Sequence, residues 1–199
     1  MFRKTAILAA VLSGVSVQVS STTAFAQDAA SFFSAAFNQL GAVSNVDGRP
    51  QQSAVPRETV TYSARFAPGT IVISTKERRL YYVLGNGQAV RYGVGVGRPG
   101  FTWGGTKAIT RKAEWPGWTP PPQMLKRRPD LPRHMKGGPD NPLGARAMYL
   151  GSSLYRIHGS NEPWTIGQAV SSGCIRMTND DVTDLYARVR VGTNVVVQN

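Results

Sequence analysis

The sequence predicts a mainly β domain with one C-terminal amphipathic helix and a long Pro-rich lid loop. Three observations carry this expectation. Short β-branched runs alternate with Gly- and Asn-containing turns, one stretch near the end places apolar residues at helical spacing, and one central segment is dense in proline.

Thr70-Ile71-Val72-Ile73-Ser74 is a short β-branched run that reads as a strand. Residues 79–84 and 88–96 flank Gly85-Asn86-Gly87, residue types that tolerate positive φ, and form a predicted hairpin. A second hairpin is expected from 145–150 and 154–158 around Gly151-Ser152-Ser153. Between the two lies 115–142, with eight prolines. Each lacks a backbone donor and fixes φ, so a regular helix or central strand is not expected there. A connection of that length is usually a functional lid or a disordered loop. Trp115, Trp118 and Met124 favour the lid, since they would be awkward in a merely solvated segment.

Thr178 reads as an N-cap with Asp181 three positions on, a relative of the capping box. Val182, Leu185, Tyr186 and Val189 then form one apolar stripe, Arg188 and Arg190 suit the helix C-terminus, and Gly192 supplies the stop. Val195-Val196-Val197 is a final strand.

The chain begins with basic Arg3 and Lys4, an apolar run from about residue 6 to 19, and Ala24-Phe25-Ala26 before Gln27. That order is the pattern of a secretory signal peptide, cleaved after Ala26, and the run is too short to span a bilayer comfortably. The expected organisation is a signal peptide at 1–26, a flexible tether at 27–64 with a short helix over 29–40, and one domain at 65–199. Without residues 1–26, 21 basic residues stand against 11 acidic ones. Such an excess favours anionic partners. Export and the scatter of the basic residues argue against nucleic acid, and a cell wall bearing free carboxylates is a natural counterpart. Charge that only aids solubility is an equal alternative.

Cys174 is the single cysteine, so it cannot form an internal disulfide in an oxidising compartment. It is buried and inert, paired with another molecule, or a reactive thiol. Gly173 before it, the helix start at Thr178, and Arg176 favour the thiol, the last two by lowering its pKa. Only His134 and His158 can serve as a base. His158 closes a predicted strand, a rigid place from which to present an imidazole, whereas His134 sits in the Pro-rich loop. Cys174 and the two histidines lack the short ligand intervals of a zinc site, so no metal and no cofactor are expected.

His158-Gly159, followed by Ser171-Ser172-Gly173-Cys174-Ile175-Arg176-Met177, resembles the signature of the L,D-transpeptidase (YkuD) catalytic domain, over roughly residues 68–198. Asn141-Pro142-Leu143-Gly144 and Ile157-His158-Gly159 belong to the same likeness. The resemblance implies Cys174 as nucleophile, His158 as base, and the Gly159 carbonyl as the acceptor that orients His158. It implies a mixed β-sandwich as the fold, and an oxyanion hole from the backbone amides of Ser172, Gly173 and Cys174. Two features depart from the family pattern: Ser172 stands where many members have a second histidine, and the interval from His158 to Ser171 is short.

The activity so implied is periplasmic acyl transfer on peptidoglycan stem peptides. The stem tetrapeptide is held as a Cys174 thioester after loss of D-Ala, then passed to a stem-peptide amine or to a protein amine such as that of an outer-membrane protein. Arg176 is expected on a substrate carboxylate or in an ion pair with Asp180 or Asp181, and Trp115, Trp118 and Trp164 on the cleft walls. An L,D-carboxypeptidase or other hydrolase on the same site, and a non-catalytic peptidoglycan-binding protein, remain the alternatives.

Overall fold

The computed structural model describes residues 53, 55–63 and 65–199. The signal peptide, the 29–40 helix and most of the tether lie outside the described residues. Among the described residues eleven strands form in chain order: β1 Glu58–Thr61, β2 Ile71–Ser74, β3 Arg79–Gly85, β4 Gln88–Gly93, β5 Val96–Gly97, β6 Gly105–Glu114, β7 Arg146–Leu150, β8 Arg156–His158, β9 Ala169–Ser171, β10 Ile175–Arg176 and β11 Asn194–Gln198. Two α-helices accompany them among the described residues, α1 Pro122–Arg127 and α2 Asn179–Arg188, with a 3₁₀ turn at Pro163–Thr165.

Nine strands form one mixed sheet in the order β1-β4-β3-β2-β11-β6-β7-β8-β10, and β5 pairs with β9 apart from it. The final strand is central, lying parallel to β2 and antiparallel to β6. β6 joins the two halves: its first residues pair with β11, its last with β7, and the register shifts between Ile109 and Arg111. Residues from both halves enter one core, with Ile71, Leu80, Tyr92, Ile109, Met148 and Ile157 fully buried in a single cluster. Val182 and Leu185 of the last helix join the same cluster.

Both expected hairpins are present, β3–β4 and β7–β8, with Asn86 and Gly87 at positive φ in the first turn. The tether reading needs a correction at its end, because Glu58–Thr61 pair with β4 as an edge strand. The Pro-rich segment also holds a regular element, the six-residue α1. It begins directly after Pro121 with Pro122 in its first turn, where a missing N–H costs nothing. Thr178 caps α2 as expected, its Oγ1 accepting from the Asp181 N–H at 3.2 Å. The helix ends at Arg188, before Gly192, and Lys112 Nζ donates to the Tyr186 and Val189 carbonyls at 2.7 Å each. A side chain from β6 thus satisfies carbonyls that a glycine cap would have served. Among the described residues no helix is long and apolar enough to cross a membrane.

Candidate active site

β8 and β10 run parallel, with Ile175 opposite Ile157 and Arg176 opposite His158. Side chains alternate across a strand, and registered residues of neighbouring strands share a face. Ile157 and Ile175 accordingly enter the core at 0% and 1% exposure, while Arg156, His158, Cys174 and Arg176 all line one cleft of about 920 Å³. A three-residue strand and a two-residue strand thus bring the two candidate catalytic groups together from positions sixteen residues apart.

His158 is 4% exposed, with Nδ1 2.6 Å from the Gly159 carbonyl oxygen. A carbonyl only accepts, so Nδ1 carries the proton and Nε2 keeps its lone pair. Burial, reinforced by the charges of Arg176 and Arg156 and opposed by the Gly159 hydrogen bond, pushes the imidazole pKa down to about 3. The ring is neutral at physiological pH. Gly159 has little room for a side chain: a Cβ there would come within 3.0 Å of the Ala145 amide and press on Asn179 Oδ1. That same Oδ1 accepts from Ala145 N at 2.9 Å.

Cys174 is half-buried, and its Sγ donates to the Leu154 carbonyl at 3.7 Å. Burial raises the thiol pKa, against the Arg156 charge, hydrogen bonds from the Arg156 backbone and side chain, and the smaller effect of the Arg176 charge. The expected lowering by Arg176 and the helix start is therefore outweighed by desolvation. In the resting state, a neutral thiol faces a neutral imidazole. Arg156, which the sequence reading passed over, holds its guanidinium beside the sulfur, donates to Leu154 O at 3.2 Å, and leaves its buried Nε without a partner.

The turn before Cys174 is fixed from several sides. Gly173 adopts φ +105°, and an added Cβ would lie 2.5 Å from the Tyr155 ring. Trp103, the tryptophan the sequence reading left out, donates from Nε1 to the Gly173 carbonyl at 2.7 Å and stacks on Tyr155 at 4.5 Å. Ser171 Oγ accepts from Gly173 N at 3.0 Å and donates to the Cys174 carbonyl at 2.6 Å. The Gly173 amide consequently drops out of the expected oxyanion set, being already engaged. The Ser172 and Cys174 amides make no hydrogen bond to a described residue.

Of the other expected site residues, Trp118 lines the cleft. Trp115 is 44% exposed and Trp164 sits in the 3₁₀ turn, and neither lines it. Arg176 lines the cleft but pairs with Glu162 at 2.8 Å, rather than with Asp180 or Asp181. His134 is exposed, hydrogen-bonded to Thr119 Oγ1 at 3.0 Å, and absent from the cleft lining. The Pro-rich segment forms much of one wall, through Trp118, Pro121, Met124, Leu131 and Met135.

The Escherichia coli K12 protein named "Probable L,D-transpeptidase ErfK/SrfK" is 42% identical over 136 residues, covering 64% of this chain and 43% of that protein. The match thus spans less than half of that relative. A Brucella melitensis crystal structure is 46% identical, covers 74% of this chain and 96% of its own, and superimposes with a TM-score of 0.50. That protein is named a probable carnitine operon oxidoreductase, and the name stays with it. An L,D-transpeptidase from Mycobacterium smegmatis, 21% identical, shares the fold with a TM-score of 0.52 over 65% of this chain and 58% of that one. Residues 68–197 match the model of the L,D-transpeptidase catalytic domain, YkuD, and this chain belongs to that family.

Proposed function

We propose that the protein is an exported peptidoglycan L,D-transpeptidase, with Cys174 as nucleophile and His158 as general base and acid. One observation carries the reading: His158 ends β8, Cys174 directly precedes the β10 strand paired with it, both line the same cleft, and Nδ1 of His158 is anchored on Gly159. The anchored tautomer leaves Nε2 as the only imidazole atom able to take a proton. Because both groups rest neutral, proton transfer accompanies attack rather than preceding it.

In the first half-reaction Sγ attacks the carbonyl of the third stem residue, and the thiol proton passes to His158 Nε2. The oxyanion faces the Cys174 and Ser172 amides. As the C–N bond to the terminal D-Ala breaks, His158 returns the proton to the departing amine, leaving a thioester. An acceptor amine then attacks the thioester and yields its proton to His158, and the thiol is regenerated as the new amide forms. Arg156 stabilises negative charge on sulfur as it develops. The acceptor is an amine of a second stem, giving a 3→3 cross-link, or of a wall-attached protein. Export through residues 1–26 places the reaction in the periplasm.

Intact-protein mass spectrometry after incubation with a disaccharide-tetrapeptide tests the reading. A tripeptide-thioester adduct is expected on the wild type and absent from Cys174→Ser. Dimeric products identify transfer, tripeptide alone identifies hydrolysis, and full turnover by Cys174→Ser would sink the cysteine mechanism.

A further inference from the structure

A smaller recess of about 220 Å³ opens beside the cleft and shares Met124, Leu131, Ser171 and Ser172 with it. It also shares Arg127, Arg128 and Arg176 with the cleft, and Arg98 joins them there as a fourth guanidinium. Two are answered by carboxylates. Arg128 chelates Asp130 at 2.8 and 2.6 Å, and Arg176 pairs with Glu162. Arg98 and Arg127 have no carboxylate partner among the described residues.

Those two lie instead over one aromatic ring. The guanidinium carbons of Arg98 and Arg127 are 4.2 and 5.5 Å from the centroid of Phe101. Arg98 Nη1 also reaches Ser172 Oγ at 3.5 Å, two residues before the nucleophile. The groups arrive from separate parts of the chain. Arg98 follows β5, whose Gly97 pairs with Ser171, and Arg127 ends α1 in the Pro-rich wall. A ring beneath a guanidinium orients its plane without neutralising it, leaving the N–H edge for a planar anion. Two unanswered cations held together in a concavity repel each other until an anion joins them.

We infer that Arg98 and Arg127 form a carboxylate subsite for the peptide substrate, distinct from Arg176, whose charge is already met by Glu162. The inference rests on the peptide-acylation reading above and narrows it. The substrate class is a stem peptide with a free carboxylate near the attacked carbonyl, and the corresponding amide is a poor substrate. The carboxylate belongs to the second residue, to the side-chain end of the third, or to the terminal D-Ala.

The test uses four tetrapeptide donors, one unmodified and three each amidated at one of these carboxylates. The rate of thioester formation is followed by mass spectrometry on the full-length protein. Wild type is expected to use one amidated donor about tenfold to a hundredfold less well than the unmodified one. Arg98→Gln with Arg127→Gln loses a similar factor on the unmodified donor and little more on that amide. The paired lysine variants recover part of the loss. Cys174 alkylation by neutral iodoacetamide, unchanged in the variants, reports an intact site. Equal use of all four donors by the wild type overturns the subsite without recourse to any variant, as does a uniform loss across donors in the glutamine pair. Failure of the wild type to acylate any donor instead removes the peptide-acylation reading, and the subsite with it.

Discussion

The floor and the wall of the cleft are built by opposite means. The floor, β8, β10 and the turn at 171–174, is locked by a parallel ladder, two buried isoleucines and hydrogen bonds from Trp103 and Ser171 to the Gly173–Cys174 backbone. The wall, 116–142, is tied mainly to itself. Trp118 and Met135 exchange N–H···O bonds at 2.8 Å, and buried Asn141 donates to the Met135 and Lys136 carbonyls. A group fixed by the core is suited to chemistry, where small misplacements are costly, and a wall that holds its own shape is suited to binding. Substitutions in the floor should therefore lower kcat, and those in the wall should raise KM.

The largest effect is expected from His158→Gln, which keeps a polar side chain and removes the proton carrier. The rate of Cys174 acylation should fall about 10²- to 10⁴-fold, measured by single-turnover mass spectrometry. A loss below tenfold would mean that another group moves the proton. Gly173→Ala comes next, because φ +105° and the Tyr155 ring leave no place for a methyl group. A shift of Cys174, the proposed nucleophile, by a fraction of an ångström should cost about 10²-fold in kcat with little change in KM. If KM changed instead, the turn would belong with the binding wall.

The floor also predicts two pH dependences. The alkylation rate of Cys174 by iodoacetamide should stay low at neutral pH and rise only above the ordinary thiol value of 9.0, since burial raises this thiol. A rise centred below 8 would restore a thiolate–imidazolium resting pair. For stability the sign follows from His158, whose folded pKa of about 3 lies below the ordinary 6.5. As pH falls below 6.5, the unfolded chain takes up the proton first, so stability declines between 6.5 and about 3, by up to about 1.4 kcal/mol per unit. Denaturant titrations should show that slope in the wild type and a shallower one in His158→Gln.

The floor was also the more legible half. A lone cysteine behind a glycine, one strand-end histidine, and the Thr178 cap are local signals; Cys174 and His158 line one cleft, and His158 bonds to the Gly159 carbonyl. Trp103 and Arg156 were missed because their roles exist only through tertiary register. Trp103 reaches Gly173 across seventy residues, and Arg156 meets the sulfur only because β8 and β10 pair in parallel. β6, the longest strand, was unreadable for another reason. In Gly105–Glu114 only Ile109 is fully buried, so no alternation of apolar and polar residues marks it. The three tryptophans expected on the walls rested on residue type alone, and only Trp118 lines the cleft.

Trp118 therefore gives the smallest and sharpest test of the division. Its side chain lines the cleft, while its backbone makes the paired bonds with Met135, which a substitution leaves in place. Trp118→Ala removes contact surface without touching the Cys174–His158 pair. KM for the tetrapeptide donor should rise about fivefold to tenfold, as expected for about 1 kcal/mol of lost contact, with kcat within about twofold of the wild type. Trp115→Ala, an exposed residue outside the cleft, is the control and should leave both constants unchanged. A fall in kcat with steady KM for Trp118→Ala would mean that the wall helps to position the reacting groups. Floor and wall would then act as one unit, and the separation drawn from their hydrogen bonds would fail.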